Sequence, residues 1–456
     1  MKTTCLIAAC LGLIGVAVLP SPARAQMCDT LFEVISTLKL PSYGFPTIWD
    51  ADYGQPARMV QFASGISLEE GTIMAYAGTL DAKTYKPLET GLVELNRRGR
   101  AMTEKFYAAK PGEQPAGMIK QDDRFIAVSN IRIGVRNDKH VRISWYDRQG
   151  VYKKDMTFYD AAYDYEAEQI VPAVDGKGFA VLVHAVSRKD PKDQYGMLSR
   201  YTADGKLVWK RAYRPGVNNM LAGLTHTDDN AYLATGKIIM DDGRMAGWIL
   251  KLGYDGTILW QRTYPRGKYS VLNAGAVSVK KTPDGTSFYL VAGEAEPADN
   301  GPYAAWVMEV DPQGEPIWQR YLRRLDYTFA AQDVRAQADG RIAVTINATA
   351  DTTKVSTNQD HIRLVTLSPR GIMIDDQSYL NGLKARATSI LETKQGDTVV
   401  TATVLKEQKE SEEEFGPKKA VPEGQQPEKP APLQEGWVMV VPGPGEYNDP
   451  CLRRRN

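Results

Sequence analysis

One short pattern recurs along the chain and limits what it can fold into. An alternating apolar strand runs into a Gly-centred turn, and a second strand then carries Trp and Tyr. The clearest copies are Gly247–Leu252 with Asp255–Tyr264, Leu198–Tyr201 with Asp204–Tyr213, and Trp306–Val310 with Gln313–Tyr321. Glycine supplies the positive φ that a tight hairpin needs, and period-two alternation marks a half-buried strand. Weaker copies put further turns at Gly99, Gly150, Gly371 and Gly445, so this series comprises glycines 99, 150, 205, 256, 314, 371 and 445. A second turn series, in phase with the first, falls at Gly71, Asp122-Asp123, Gly176, Asp228–Asn230, Gly285, Gly340 and Gly396.

Two phased series of seven turns define seven units of four short strands, each of roughly 50 to 58 residues. One four-stranded sheet cannot cover both of its faces, whereas a closed ring of them covers each with its neighbours. The expected fold is therefore all-β, a seven-bladed β-propeller of four-stranded antiparallel blades over residues 46–451. Period-two alternation excludes a helical repeat, and the repeat is too long for a parallel β-helix.

The ends of the chain indicate how the ring closes. The seventh unit supplies its third strand at Trp437–Val441 but no Trp-x-x-x-Tyr strand. That pattern stands instead near the start, at Ile48, Trp49 and Tyr53. Residues 46–53 are expected to complete the last blade as its outer strand, which satisfies an edge that would otherwise be open. Residues 26–45 form a lead-in, with a short helix expected over Asp29–Leu38, capped by Asp29 and ended before Pro41.

Lys2, the apolar run Leu6–Leu19 and Ala23-Arg24-Ala25 make residues 1–25 a signal peptide rather than a membrane span, because the run is too short to cross a bilayer. A lipoprotein box at Ile7–Cys10 would leave too few residues ahead of the cut. Export places the chain in the periplasm or outside the cell. Of the four cysteines, only Cys28 and Cys451 survive cleavage. In an oxidising compartment these two are expected to form a disulfide across the same seam. Residues 406–434, with the run Lys406–Glu414 and prolines 417, 422, 427, 430 and 432, make an extended or disordered insertion in blade seven. Residues 452–456 are a basic tail.

Chemistry is sparse by comparison. With 56 Lys and Arg against 55 Asp and Glu, no strong field exists to gather nucleic acid. The histidines, 140, 184, 226 and 361, fall in different repeats without zinc spacing, and CxxC, GxSxG and Walker patterns are absent. Asp160, Asp164, Glu166 and Glu168 cluster between the second and third blades, and Asp50 with Asp52 lies in the seam. Neither group matches a full calcium loop, so most of these residues are expected to be exposed turn residues. The repeated Trp and Tyr could stack on a quinone or a sugar. Their constant place in the repeat favours packing between blades instead, and Arg323-Arg324 is expected to be solvated surface.

The Asp-Gly-x-x-x-Trp segments at 204–209 and 255–260, with the strand Trp248–Lys251, resemble repeats of the bacterial PQQ-like (quinoprotein-like) propeller superfamily. The resemblance covers residues 46–447. It implies either a non-catalytic scaffold, like the superfamily's outer-membrane assembly lipoprotein, or a quinone-dependent oxidoreductase or a subunit of one. Quinoprotein dehydrogenases have eight blades and a cofactor site beside a metal-binding carboxylate, whereas this chain has seven units and no matching site. The expectation is an exported, non-enzymatic propeller that binds a protein, peptide or glycan partner in the cell envelope. No catalytic, cofactor-binding or metal-binding residue is assigned. PQQ with calcium is the alternative, and a glycan-active lyase or hydrolase with channel-loop residues is a weaker third.

Overall fold

The computed structural model describes residues 31–44, 46–54, 58–68, 71–216, 218–297, 302–354, 359–407 and 432–443. The signal segment, Cys28, Cys451, Asp29 and Gly445 lie outside the described residues. From Phe32 to Pro444 the chain is one compact unit, a seven-bladed propeller of antiparallel sheets. The first strands of the blades are Arg58–Ser67, Gln114–Gln121, Tyr163–Pro172, Met220–Thr227, Ser270–Lys281, Tyr327–Ala336 and Lys384–Glu392. Each contacts the first strand of the next blade, and the seventh contacts the first, so these strands form the inner ring.

Within the described residues, which exclude Gly445, both turn series have the backbone their residues predict. Gly71, Asp122, Gly176, Asn230, Gly285, Gly340 and Gly396 all have positive φ, as do Gly99, Gly150, Gly205, Gly256, Gly314 and Gly371. The turn at 253–257 shows why. Gly253 N–H donates to Thr257 O at 2.8 Å and Gly256 N–H returns to Gly253 O at 2.9 Å, the geometry of a turn that closes on a left-handed residue.

In blades three, four and five the fourth-strand Trp faces one of these glycines in the following blade. A Cβ at Gly256 would lie 2.7 Å from the Trp209 ring, one at Gly314 2.8 Å from Trp260, and one at Gly371 2.7 Å from Trp318. Trp260 Nε1–H donates to Pro312 O at 2.9 Å and Trp209 Nε1–H to Tyr254 O at 3.2 Å. Four residues after Trp209 and Trp260, the Tyr hydroxyl reaches the glycine carbonyl, Tyr213 to Gly256 at 2.8 Å and Tyr264 to Gly314 at 2.6 Å. Trp-x-x-x-Tyr is therefore an inter-blade latch, which is why its spacing repeats. Blade two has Lys154 at the Trp position. There Trp145, from the neighbouring strand, fills the space over Gly205 and donates to Ala203 O at 2.9 Å.

The ring closes with a strand from the start of the chain. Trp49–Tyr53 pairs antiparallel with Leu433–Val441, with Trp49 opposite Val440 and Tyr53 opposite Gly436, and Ile48 N–H donates to Val440 O at 2.7 Å. This strand belongs to blade seven and latches onto blade one. Trp49 lies over Gly99, the Tyr53 hydroxyl donates to Gly99 O, and Tyr53 meets Phe62 edge-on at 5.3 Å. Asp50 accepts from Trp437 Nε1 at 3.1 Å, and Asp52 pairs with Lys406.

Two expectations need correction. No helix forms in the described part of Asp29–Leu38; Glu33–Thr37 is a strand, parallel to the outer strand Pro316–Arg323 of blade five, which becomes five-stranded. The segment is rich in β-branched residues, and the open edge of blade five supplies partners, with Gln319 N–H donating to Phe32 O at 2.7 Å. A tertiary edge overrides a weak local cap. The insertion in blade seven is also narrower than 406–434, because strand pairing continues to Lys406 opposite Leu433. Residues 408–431 lie outside the described residues.

Between its two strands the N-terminal segment crosses blade six. Leu38 is buried in the core beside Trp318 and Phe329. Lys39 N–H donates to Asp376 Oδ2 at 2.8 Å, and its carbonyl accepts from Arg363 at 2.7 Å. Arg363 and Asp376 form a fully buried pair at 2.8 Å.

Candidate functional site

Antiparallel blades put alternate connections on opposite faces of the ring. One face carries the two turn series. Those between third and fourth strands keep one hydrogen-bonded form, while those between first and second strands are compact but run from Asp122-Asp123 in blade two to residues 173–178 in blade three. The other face carries the connections between second and third strands, described at residues 82–86, 134–137, 188–193, 240–244, 296–297, 302–303, 351–354, 359–360, 407 and 432, together with those between blades. These vary in length and sequence, and variable connections on a rigid frame are where binding residues collect. The exposed aromatics Tyr85, Tyr159 and Tyr303 belong to this face.

Below this face every inner strand departs from regular pairing at the same place. The register shifts fall at Ala63, Ala116, Glu168, Ala222, Asn273, Gln332 and Thr388. A bulge bends the strand and re-aims side chains. Two residues before each bulge, the inner strand pairs with one position of the second strand. Around the ring that position holds Gly78, Asn130, His184, Lys237, Glu294, Asn347 and Thr403.

Where it is asparagine, it seals the joint to the next blade. Asn130 accepts from Ala167 N–H at 2.7 Å and donates to Ala167 O at 3.3 Å. Asn347 treats Ala387 alike, at 2.9 and 3.3 Å. In blade one Gly78 leaves room for Pro115 of blade two. Blades three, four and five have His184, Lys237 and Glu294 instead, and there a polar sector opens. A cleft of about 220 Å³ between blades four and five is lined by Met220, Ala222, Gly236, Lys237, Tyr269, Val271, Asn273 and Glu294.

The electrostatics of this sector are uneven. Glu166 pairs with Lys139. Glu168, on the bulge, has no ion pair of its own among the described residues. Burial, and then the neighbouring Glu166 carboxylate, push Glu168 up to about 7, while Lys237 and Lys139 hold it down. His184 lies 2.9 Å from Gln194 Oε1 and is kept below its usual range by burial. Glu294 accepts from the Tyr269 hydroxyl at 2.6 Å, and Tyr303 packs on Tyr269 at 5.0 Å.

The other residues singled out in the sequence are dispersed, and the acidic ones are mostly not turn residues as expected. Asp164, Glu166 and Glu168 stand on the inner strand Tyr163–Pro172 and Asp50 and Asp52 on the closing strand Trp49–Tyr53, where strand pairing claims them. Asp160 accepts from Ala162 N–H at 2.8 Å, and Asp164 pairs with Arg188 at 2.7 Å. His140 stacks on Tyr159, His226 is exposed, and His361 is buried beside Arg363 and lowered by that burial to about 4. Arg324 pairs with Asp326 at 2.9 Å. Among the described residues no group of three or more His, Cys, Asp or Glu is arranged to hold a metal ion. Of the acidic cluster, only Glu166 and Glu168 join the polar sector, where His184 meets them. Sequence reasoning missed Lys237, Tyr269, Asn273 and Glu294. The column that contains Lys237 and Glu294 emerges from the pairing register of the second strands, because its offset from the turn residue differs from blade to blade.

No protein-family model matches the chain, and no curated protein matches it significantly. Solved structures resemble the chain at low identity. Puromycin hydrolase is 14% identical with a TM-score of 0.42, covering 80% of this chain and 54% of its own, so the chain spans about half that protein's length. Sqt1 from Chaetomium thermophilum is 9% identical with a TM-score of 0.45, covering 88% of this chain and 100% of its own. The β-propeller domain of the Trilobed protease from Pyrococcus furiosus is 9% identical with a TM-score of 0.42, covering 76% and 91%.

Proposed function

We propose that this chain is an exported, non-enzymatic β-propeller that binds a protein, peptide or glycan partner of the cell envelope through its variable face. The observation that carries this reading is the division between the two faces. One carries compact turns that close on left-handed residues and the latches that hold the ring. The other gathers the longer and more varied connections, the exposed Tyr85, Tyr159 and Tyr303, the polar sector and the cleft. Aromatic anchors beside polar groups are what recognition surfaces use.

The quinone-dependent alternative requires aromatic faces and a carboxylate available to a cofactor and its calcium. The repeat tryptophans Trp209, Trp260 and Trp318 instead lie on the turn glycines of the next blade, and Asp164 and Glu166 are paired with Arg188 and Lys139. That arrangement does not fit such a cofactor and supports the binding reading.

The test is affinity capture from the native envelope. A triple variant with Tyr85, Tyr159 and Tyr303 changed to serine is expected to lose the partner, while Tyr254→Ser on the opposite face keeps it. The reverse result, or a quinone absorption band with stoichiometric calcium in the purified protein, would overturn the proposal.

A further inference from the structure

We infer that the cleft between blades four and five recognises a small zwitterion of amino-acid size, holding its carboxylate at Lys237 and its ammonium group at Glu294. The inference rests on the binding reading above and gives that face a ligand class.

Three observations carry it. First, the cleft lies where the seal between blades is missing. The position that closes the joint with an asparagine amide in blades two and six holds Lys237 in blade four and Glu294 in blade five, and both line the opening. Second, the two walls carry opposite charge with unused bonding capacity. Lys237 forms no ion pair among the described residues, and Glu294 is steadied through Oε1 by Tyr269, which leaves Oε2 for a ligand. Asn273 donates its amide N–H to Ala331 O at 3.0 Å, so its Oδ1 remains an acceptor beside Glu294. Third, the lining between these groups is small or apolar, formed by Ala222, Gly236, Val271 and Met220, and suits a short aliphatic side chain.

Size and charge together narrow the ligand. About 220 Å³ equals the liquid volume of about seven waters, enough for an amino acid and too little for a nucleotide. A simple anion would meet Glu294, and also Glu168 close to Lys237, whereas a simple cation would meet Lys237. A molecule presenting both signs satisfies both walls, and mismatched charge placed there is disfavoured. Free amino acids and the ends of short peptides share this chemistry and differ in what lies beyond it.

Calorimetric titration of the whole protein with glycine, L-alanine and L-alanyl-L-alanine tests the idea, with N-acetyl-L-alanine, L-alanine methyl ester and glucose as controls. Saturable binding of a free amino acid or the dipeptide is expected, weakened at least tenfold by blocking either end, with glucose inert. The tighter of the two identifies the source. Lys237→Met and Glu294→Gln should each remove binding without moving the melting temperature. Lys237→Asn, which restores the sealing amide, should also remove binding, and it should raise the melting temperature. Failure of all three zwitterions to bind at millimolar concentration, equal binding of the blocked forms, or unchanged affinity in Lys237→Met would overturn it. Envelope capture is read separately. Capture without zwitterion binding defeats only this inference, and zwitterion binding without capture defeats only the broader proposal.

Discussion

The two faces of the ring are built from the same strands and obey different rules. On one, every repeat closes on a left-handed residue, and a neighbour's Trp or Tyr lies against most of those turns, so the glycine, the indole and the hydroxyl are fixed together. On the other, the joint between blades is made by whichever residue stands at one strand position, and seven blades use six residue types there. Repetition marks residues that hold the ring, and departure from repetition marks residues free to take on chemistry.

This contrast fails if substitutions on the uniform face prove cheap or those in the polar sector prove costly. The largest effect is expected from Trp318→Ala, which empties a fully buried site between blades five and six. A loss of about 3–5 kcal/mol should appear as a lower urea midpoint. Gly256→Val follows, because it combines a left-handed backbone with a clash against Trp209. Its cost is about 2–4 kcal/mol, seen in the melting temperature. Asn347→Ala removes both bonds to Ala387 and should cost about 1–3 kcal/mol by the same unfolding measurement. Tyr213→Phe deletes only the hydroxyl bond to Gly256 O and should cost about 1 kcal/mol.

The smallest effect sharpens the contrast on the other face. Because Glu168 in the folded chain is pushed up to about 7, above the ordinary carboxylate range, the native state holds a proton that the unfolded chain has released. Its contribution to stability is therefore present at low pH and declines as pH rises towards 7. Glu168→Gln should flatten that part of the stability–pH curve and change little below pH 4. An unchanged curve would show that Glu168 is solvated like the surface carboxylates.

Much of this was legible in the chain itself. The two turn series, the Trp-x-x-x-Tyr spacing and its displaced copy at Trp49 and Tyr53 are local patterns, and each names its own backbone geometry. The strand at Glu33–Thr37 was not legible, because its preference was settled by the vacant edge of Pro316–Arg323, more than 270 residues away. The cleft was hidden for a related reason. Lys237 and Glu294 look like ordinary strand residues until the bulges at Ala222 and Asn273 fix which joint each one faces.

The sequence alone thus determined the number of blades, the strands that build them and the element that closes the ring, since turns and alternation depend on neighbours a few residues apart. The tertiary structure decided which edge received the N-terminal strand and where the joints are sealed. It also decided where charge of both signs meets across a gap. Those outcomes depend on free edges, strand register and burial, which exist only once distant segments have packed.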